Sequence, residues 1–372
     1  MSEQLYIGVL EIDGHRGGYL RKISLEMDRN RQDPVVPPQL LRQFKLREAC
    51  LVACTLKQSN RGNREVDRIQ TINGLQPDAW GHVEELTRRT AIDPIERIKL
   101  TTAPSDYSMR VVDLLAPIGK GQRALIVAPP RSGKTVLMQQ FAQAISTNHP
   151  EIELLVLLVD ERPEEVTDMT RTIKGQVFAS SSDSDRESHV HIARIVLEYA
   201  KRNVEAGKDV VLLLDSLTKM GRAFNAVQRS SGRTMSGGVD VRALEIPKRI
   251  FGSARALEGG GSLTIIATAL VETNSRMDEL IFQEFKGTGN MELVLNRDLS
   301  NDRIYPAINI PESGTRHEEL LFGRETDRYQ ALRRSLNRMK PKEAMLTLLR
   351  ALELYPTNRK LLAKMVGEHE EV

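Results

Sequence analysis

The 372-residue chain predicts an α/β protein built on a mainly parallel sheet, with a small β-barrel ahead of it. From about residue 109, short apolar runs at 124–127, 154–159, 210–214, 263–269 and 291–295 alternate with helical segments such as 135–145 and 189–206. Runs that are apolar throughout and too short for a helix read as strands buried on both faces, which is the mark of parallel pairing. Residues 1–75 instead carry strand-like pieces at 5–12, 19–25 and 49–56, separated by Gly14, Gly17-Gly18 and the 28–38 segment. That spacing suits a small barrel. The third observation is a glycine-containing loop, Ala128-Pro129-Pro130-Arg131-Ser132-Gly133-Lys134-Thr135, set between an apolar strand and a helical segment.

The domain reading follows from these shifts: a barrel over 1–75, a charged, poorly periodic connector over 76–108, and a sheet domain over 109–372. The connector contains Glu84-Glu85, Arg88-Arg89 and Asp93-Pro94. Residues 341–366 have helical spacing at Ala344, Leu346, Leu348, Leu349, Leu352 and Leu354, and are expected to pack on the sheet or on a neighbouring subunit.

The 128–135 loop has the residues a polyphosphate needs. Pro130, Arg131, Ser132 and Gly133 lead into a helix N-terminus whose backbone N–H groups can surround phosphate; Lys134 can reach the β- and γ-phosphates, and the Thr135 hydroxyl can hold Mg2+. The usual first glycine is Ala128, and the two prolines rigidify the loop without donating N–H groups of their own. An accidental strand–turn–helix is the alternative. ATP and Mg2+ are therefore the expected ligands.

Two further apolar runs end in acids. The 210–214 run delivers Asp215 to a strand end, and we assign it to the magnesium side. The 154–159 run ends in Asp160-Glu161-Arg162-Pro163-Glu164-Glu165, where Glu161 is placed to polarise an attacking water. Glu164 and Glu165 read as an acidic helix start after Pro163.

Composition narrows the classes. Lys and Arg total 53 against 50 Asp and Glu, a net charge of +3, so any nucleic-acid site must be local. Cys50 and Cys54 have no second pair, which argues against structural zinc and for reduced interior thiols. With no apolar run long enough to cross a bilayer and no leader pattern at Met1-Ser2-Glu3-Gln4, a soluble cytoplasmic protein without a membrane partner is expected.

Two basic, glycine-rich loops remain. One spans 229–239 and includes Arg233 and Gly237; the other includes Lys286 and Gly287 and is preceded by Arg276. Such loops can follow a phosphodiester backbone, and they also suit a solvated surface. Arg316 and Arg303 lie far along the sequence from the phosphate loop, where an arginine offered across a subunit boundary and an ordinary surface arginine are both open. Tyr305 is open between base stacking and core packing.

Together these residues resemble the bacterial transcription termination factor Rho family, hexameric RNA-dependent ATPases and helicases whose motor is of the RecA and F1-ATPase type. The similarity spans about 105–335 and rests on Val127 to Thr135, Val159 to Val166, Leu214-Asp215-Ser216, Gly237-Gly238-Val239-Asp240, Pro247-Lys248-Arg249, Glu284 to Leu293 and Ser313 to Leu321. The resemblance implies a RecA-like P-loop domain behind an OB-like, cold-shock-like RNA-binding barrel, and an ATP-dependent RNA translocase that terminates transcription. It also implies 5′-to-3′ helicase activity on RNA and RNA–DNA, single-stranded RNA as partner, a homohexamer, and RNA polymerase as a candidate partner. Residue by residue it makes Glu161 the water activator, Arg162 a phosphate sensor, Asp215 the magnesium-side acid, Arg316 the finger for the adjacent subunit, and Tyr305 the adenine stacker. Arg233 and Gly237 fall on the family's central-channel loop, Arg276, Lys286 and Gly287 on its second channel region, and Tyr19 and Arg21 on its barrel site. The barrel departs from the pattern: Gly17 stands where a stacking aromatic is usual, and Asp33-Pro34-Val35-Val36 where a tyrosine is usual. Weaker preference for cytidine-rich RNA is expected, and the alternative reading is an RNA-binding regulatory ring ATPase without processive translocation or termination.

Overall fold

The computed structural model describes residues 5–14, 17–59, 62–228, 237–240 and 242–365. Five strands, β1 (Tyr6–Ile12), β2 (Gly18–Arg21), β3 (Val35–Val36), β4 (Leu51–Gln58) and β5 (Arg64–Ile72), close into a barrel in the order β1-β2-β3-β5-β4. Its interior is filled by Leu10, Leu20, Val36, Cys50, Val52, Cys54 and Val66, with Trp80 sealing one side. Burial pushes both thiols up to about 12, so they are packing groups.

The predicted 19–25 strand stops at Arg21 because Ile23 and Leu25 leave the barrel. They pack against the sheet domain, where the Leu25 carbonyl accepts from the Ala179 N–H at 2.8 Å. The connector is likewise tied down. It supplies β6 (Ala91–Ile92), while β7 (Arg97–Ile98) pairs with β8 (Ile118–Gly119).

The main sheet is built from β9 (Arg123–Ala128), β10 (Glu153–Glu161), β11 (Gln176–Ser181), β12 (Asp209–Asp215), β13 (Arg255–Leu257), β14 (Ser262–Leu270), β15 (Met291–Val294) and β16 (Gly314–Thr315), with β6 at its margin. The order β11-β10-β12-β14-β9-β15 is parallel throughout, and β16 adds an antiparallel edge. Alternate side chains serve opposite layers: Ala124, Ile126 and Ala128 of β9 enter one core, Leu125 and Val127 the other. This double burial is why the strands read as continuous apolar runs. The C-terminal helices, Pro341–Leu354 and Asn358–Met365, pack Met345, Leu348, Leu352 and Leu361 into this chain's own first core. Arg110 fixes them by donating to the carbonyls of Leu352 (2.9 Å) and Tyr355 (2.6 Å).

Candidate nucleotide site and its link to the glycine loops

The carboxyl ends of the parallel strands converge on a cavity of about 860 Å3, where an open α/β sheet takes its ligands. The loop after β9 forms its floor. Arg131 and Gly133 adopt positive φ (64° and 90°), which turns successive N–H groups the same way before the 15-residue helix Lys134–Asn148 begins. The Ser132 hydroxyl braces the loop by donating to the Pro129 carbonyl at 2.7 Å.

Tyr305 caps the cavity. Its ring stands 3.3 Å from where a side-chain carbon at position 133 would be, so glycine is needed there for space as well as for its φ. The ring is 46% exposed, which removes the core-packing reading. An exposed aromatic face over a phosphate loop is suited to stacking on a base.

A bulge aims Glu161. Strands β10 and β11 pair Val159 with Ser180 and Glu161 with Ser181, leaving Asp160 as the extra residue at φ 55°. The bulge re-aims the next side chain into the cavity, and it is held by Lys219, which donates to the Asp160 carbonyl at 2.8 Å. Lys219 also places its ammonium 2.7 Å from Glu161 Oε1, an ion-pair distance without hydrogen-bond direction, since that oxygen is buried with no hydrogen-bond partner.

Lys134 pairs with Asp215 and lies 3.7 Å from Glu161. The second oxygen of Asp215 accepts from the Thr268 hydroxyl at 2.7 Å. Burial and the neighbouring Asp215 push the Glu161 carboxyl above its usual range, against the pull of Lys134 and Lys219. Burial disfavours the charged Lys134, yet Asp215 and Glu161 outweigh it and raise its pKa. Pro130, Arg131, Ser132, Gly133, Thr135 and Arg162 all line the same cavity. The Thr135 hydroxyl and Asp215 carboxylate are hard oxygen donors, a set that fits a magnesium ion.

Lys219 is the residue that sequence reasoning missed. Its signal was its position: Ser216 caps the helix Leu217–Val227 directly after the acid-ended strand, so a first-turn lysine faces the site. The same helix continues to the loops. Arg222 forms a two-point pair with the buried Asp278, and Asn225 donates to the Gly238 carbonyl (3.2 Å) and accepts from the Asp240 N–H (2.8 Å). Lys219, Arg222 and Asn225 are three apart and share a face.

Asp278 belongs to the helix Arg276–Lys286, so Arg276 and Lys286 lie at opposite ends of one element, about 15 Å apart by helical rise. Gly237 closes on the Arg276 end: a side-chain carbon there would sit 3.1 Å from the Arg276 carbonyl. Gly287 caps the other end, beside Lys286, whose ammonium lies 5.8 Å from the Phe282 ring centre. Arg233 is outside the described residues.

Arg316 is not in the nucleotide cavity. It follows β16 and lines a separate cavity of about 520 Å3. It is exposed and has no ion pair among the described residues. In the barrel, Tyr19 is half-buried on β2, whereas Arg21 is 5% exposed and donates to Glu11 and Asp33, each at 2.6 Å. Its guanidinium carbon lies 5.2 Å from the Tyr19 ring centre.

The ATP synthase alpha/beta family, nucleotide-binding domain, matches residues 108–315. Transcription termination factor Rho of Aquifex aeolicus is 50% identical over 369 residues, covering 96% of this chain and 84% of that protein. The Rho proteins of Cereibacter sphaeroides and Streptomyces coelicolor are each 48% identical, over 96% of this chain and 86% and 85% of theirs. Among solved structures, a prototypical ATPase from the type III secretion system of pathogenic bacteria superposes with a TM-score of 0.60 at 22% identity, covering 74% of this chain and 80% of that one. The assembled ATPase EscN from enteropathogenic E. coli gives 0.60 at 19%, covering 74% and 72%. These two likenesses establish the fold.

Proposed function

Because this chain belongs to the transcription termination factor Rho family, we propose that it is an ATP-driven translocase on single-stranded RNA that terminates transcription. No observation favours a regulatory ring that does not translocate. ATP hydrolysis is its chemistry, and the helicase activity, the hexamer, the contact with RNA polymerase and the residue roles below are parts of this proposal.

One observation carries the chemistry: the bulge at Asp160 turns a buried carboxylate, Glu161, toward Lys134 and the P-loop. Glu161 would take the proton of the attacking water, and its raised pKa makes it a better base than a solvated carboxylate. Lys134 and the loop N–H groups would draw charge from the γ-phosphate, with Arg162 at the cavity wall. Thr135 and Asp215 would hold Mg2+, which bridges phosphate oxygens and offsets their charge. Tyr305 would stack on adenine.

The missing positive charge is supplied in trans. Arg316 lies outside the nucleotide cavity, exposed and without an ion pair among the described residues, as an arginine destined for a neighbour's site would be. Hydrolysis would reach the RNA loops through the Leu217–Val227 helix, which grips Glu161 at Lys219 and the Gly237–Asp240 segment at Asn225. RNA would be held in a central channel by Arg233, Gly237, Arg276, Lys286 and Gly287, and loaded at Tyr19, with Arg21 fixing that ring.

The test is steady-state ATP turnover with RNA present. Lys134→Ala and Glu161→Gln are each expected to lose about 100-fold or more, and either one retaining nearly full turnover refutes its role. Mixing Arg316→Ala subunits with Lys134→Ala subunits should restore part of the turnover at mixed interfaces. No restoration under subunit exchange would place the whole site within one chain.

A further inference from the structure

A third cavity, about 500 Å3, lies between the barrel and the sheet domain. Glu11, Ile12 and Glu48 close it from the barrel side; one face of the Arg186–Glu205 helix and the start of the Glu245–Gly252 helix close it from the other. The size suits one nucleotide-sized ligand, since small-molecule pockets run about 300–1,000 Å3.

Its lining holds three carboxylates, Glu11, Glu48 and Glu198, and three cations, Arg194, Lys201 and Arg249, but they are not paired with one another throughout: Glu48 accepts the Ile12 N–H at 3.0 Å. Glu11 is taken by Arg21 and Arg29, and Glu198 by Lys201 and Arg202. Among the described residues Arg194 and Arg249, both exposed at the mouth, have no carboxylate partner. Arg194 is held over the Phe224 ring at 5.6 Å, which keeps its guanidinium edge available. Deeper in, His191 Nε2 is buried and has no hydrogen-bond partner. Burial keeps that ring neutral, against the pull of Glu11, so it offers a donor or an acceptor to a base edge. The walls between are Ile195, Ile246 and Ile250.

The position selects the ligand. Glu11 pairs directly with Tyr19 across β1 and β2, and side chains at such paired positions share a face, so Tyr19 neighbours the residue that forms the cavity's barrel wall. On its far side, the Arg249 helix follows the Gly237–Asp240 segment. The cavity therefore lies between the two places assigned to RNA above, on which this inference rests.

We propose that it is a third RNA subsite, holding one nucleotide in transit from barrel to channel, with its phosphate on Arg194 and Arg249 and its base edge at His191. A free mononucleotide would present the same chemistry, and the test separates the two sources.

The experiment compares Arg194→Ala/Arg249→Ala with wild-type full-length protein and with the charge-keeping Arg194→Lys/Arg249→Lys variant. Binding of a short RNA that reaches only the barrel, a long RNA, and cytidine and uridine monophosphate is measured across a salt series. The alanine variant is expected to lose about tenfold in affinity for the long RNA and to flatten its salt slope by about 1, while the short RNA is unaffected and the lysine variant keeps most of the affinity. Both arginines are exposed, so the fold should tolerate these changes, and an unchanged Trp80 emission transition in denaturant verifies this. Wild type and alanine variant binding the long RNA equally overturns the subsite. A monophosphate bound by wild type and lost in the variant, with long-RNA affinity unchanged, overturns the strand assignment in favour of a free nucleotide. Wild type binding neither RNA overturns the functional reading itself.

Discussion

Barrel and sheet domain each set one cation between two carboxylates, and the outcomes are opposite. In the barrel Arg21 bridges Glu11 and Asp33, all three buried, and although Glu11 borders the cavity beside the barrel both its oxygens are taken, by Arg21 and by Arg29. Burial would raise the Glu11 carboxyl, but its bonds with Arg21 hold it below the usual range. In the sheet domain Lys134 pairs with Asp215 and lies 3.7 Å from Glu161 at the wall of an open cavity, and there burial and the like charge of Asp215 leave Glu161 above its usual range. The first cluster is spent on shape. The second keeps a carboxylate whose proton affinity can be used, because the bulge and Lys219 hold it where water can enter. The same residue types thus build a scaffold or a reaction site according to whether the cations take both oxygens of the carboxylate, as at Glu11, or leave its proton affinity raised at the wall of the phosphate-loop cavity, as at Glu161.

The largest break of this comparison is removal of the cation. Arg21→Ala strands two buried carboxylates and should destabilise the barrel by about 3–5 kcal/mol. The chain's one tryptophan, Trp80, is buried against the barrel core, so its emission during denaturant unfolding reports on this region. Lys134→Ala should move that transition little, since Lys219 still faces Glu161 and the Thr268 hydroxyl still donates to Asp215. A barrel transition unmoved by Arg21→Ala would show that the triad is not structural.

Acid should separate the regions in sequence. Glu161, with its raised pKa, protonates before Glu11 as pH falls, so turnover is lost on the acid limb. Glu11 is depressed in the folded state, so its stabilising contribution is complete above the unfolded-state pKa and disappears only as pH falls through the lower folded value. Turnover should therefore fall at a pH where Trp80 emission is still native. Coincident loss of both signals would tie the acid limb to unfolding instead.

What could be read from the sequence follows the same division. The phosphate loop, Glu161 and Asp215 were legible because strands buried on both faces are apolar to their last residue, so a terminal acid stands out. Strand β5, Arg64–Ile72, was not legible, because its outer face is charged and the alternation is broken by irregular pairing with β4. Strand β3 has two residues, too short for any period, and β11 is polar at its end. Lys219 and the engagement of Arg21 with Glu11 and Asp33 depend on long-range approach. The resemblance puts Arg21 on the barrel's RNA site, and only the folded barrel shows that its charge is taken by Glu11 and Asp33.

The smallest effect is the most discriminating for substrate choice. With the Arg21 guanidinium engaged, what the barrel presents to a base is the Tyr19 ring, so Tyr19→Ala should weaken RNA binding by about 1 kcal/mol, roughly fivefold, at the low end for a stacking platform. Restoring the second aromatic by Gly17→Phe should not strengthen it. Gly17 sits at φ 112°, and a side-chain carbon there would come within 2.4 Å of the Val36 carbonyl oxygen, so phenylalanine has to displace β3 from β2. The glycine is thus built into the barrel's closure rather than being a gap waiting for a ring. ATPase stimulation across poly-C, poly-U, poly-A and matching single-stranded DNA measures both variants. Stimulation by RNA above DNA, little poly-C preference in wild type and none gained by Gly17→Phe are expected, whereas a strong poly-C preference abolished by Tyr19→Ala would show that one ring suffices for cytidine selection.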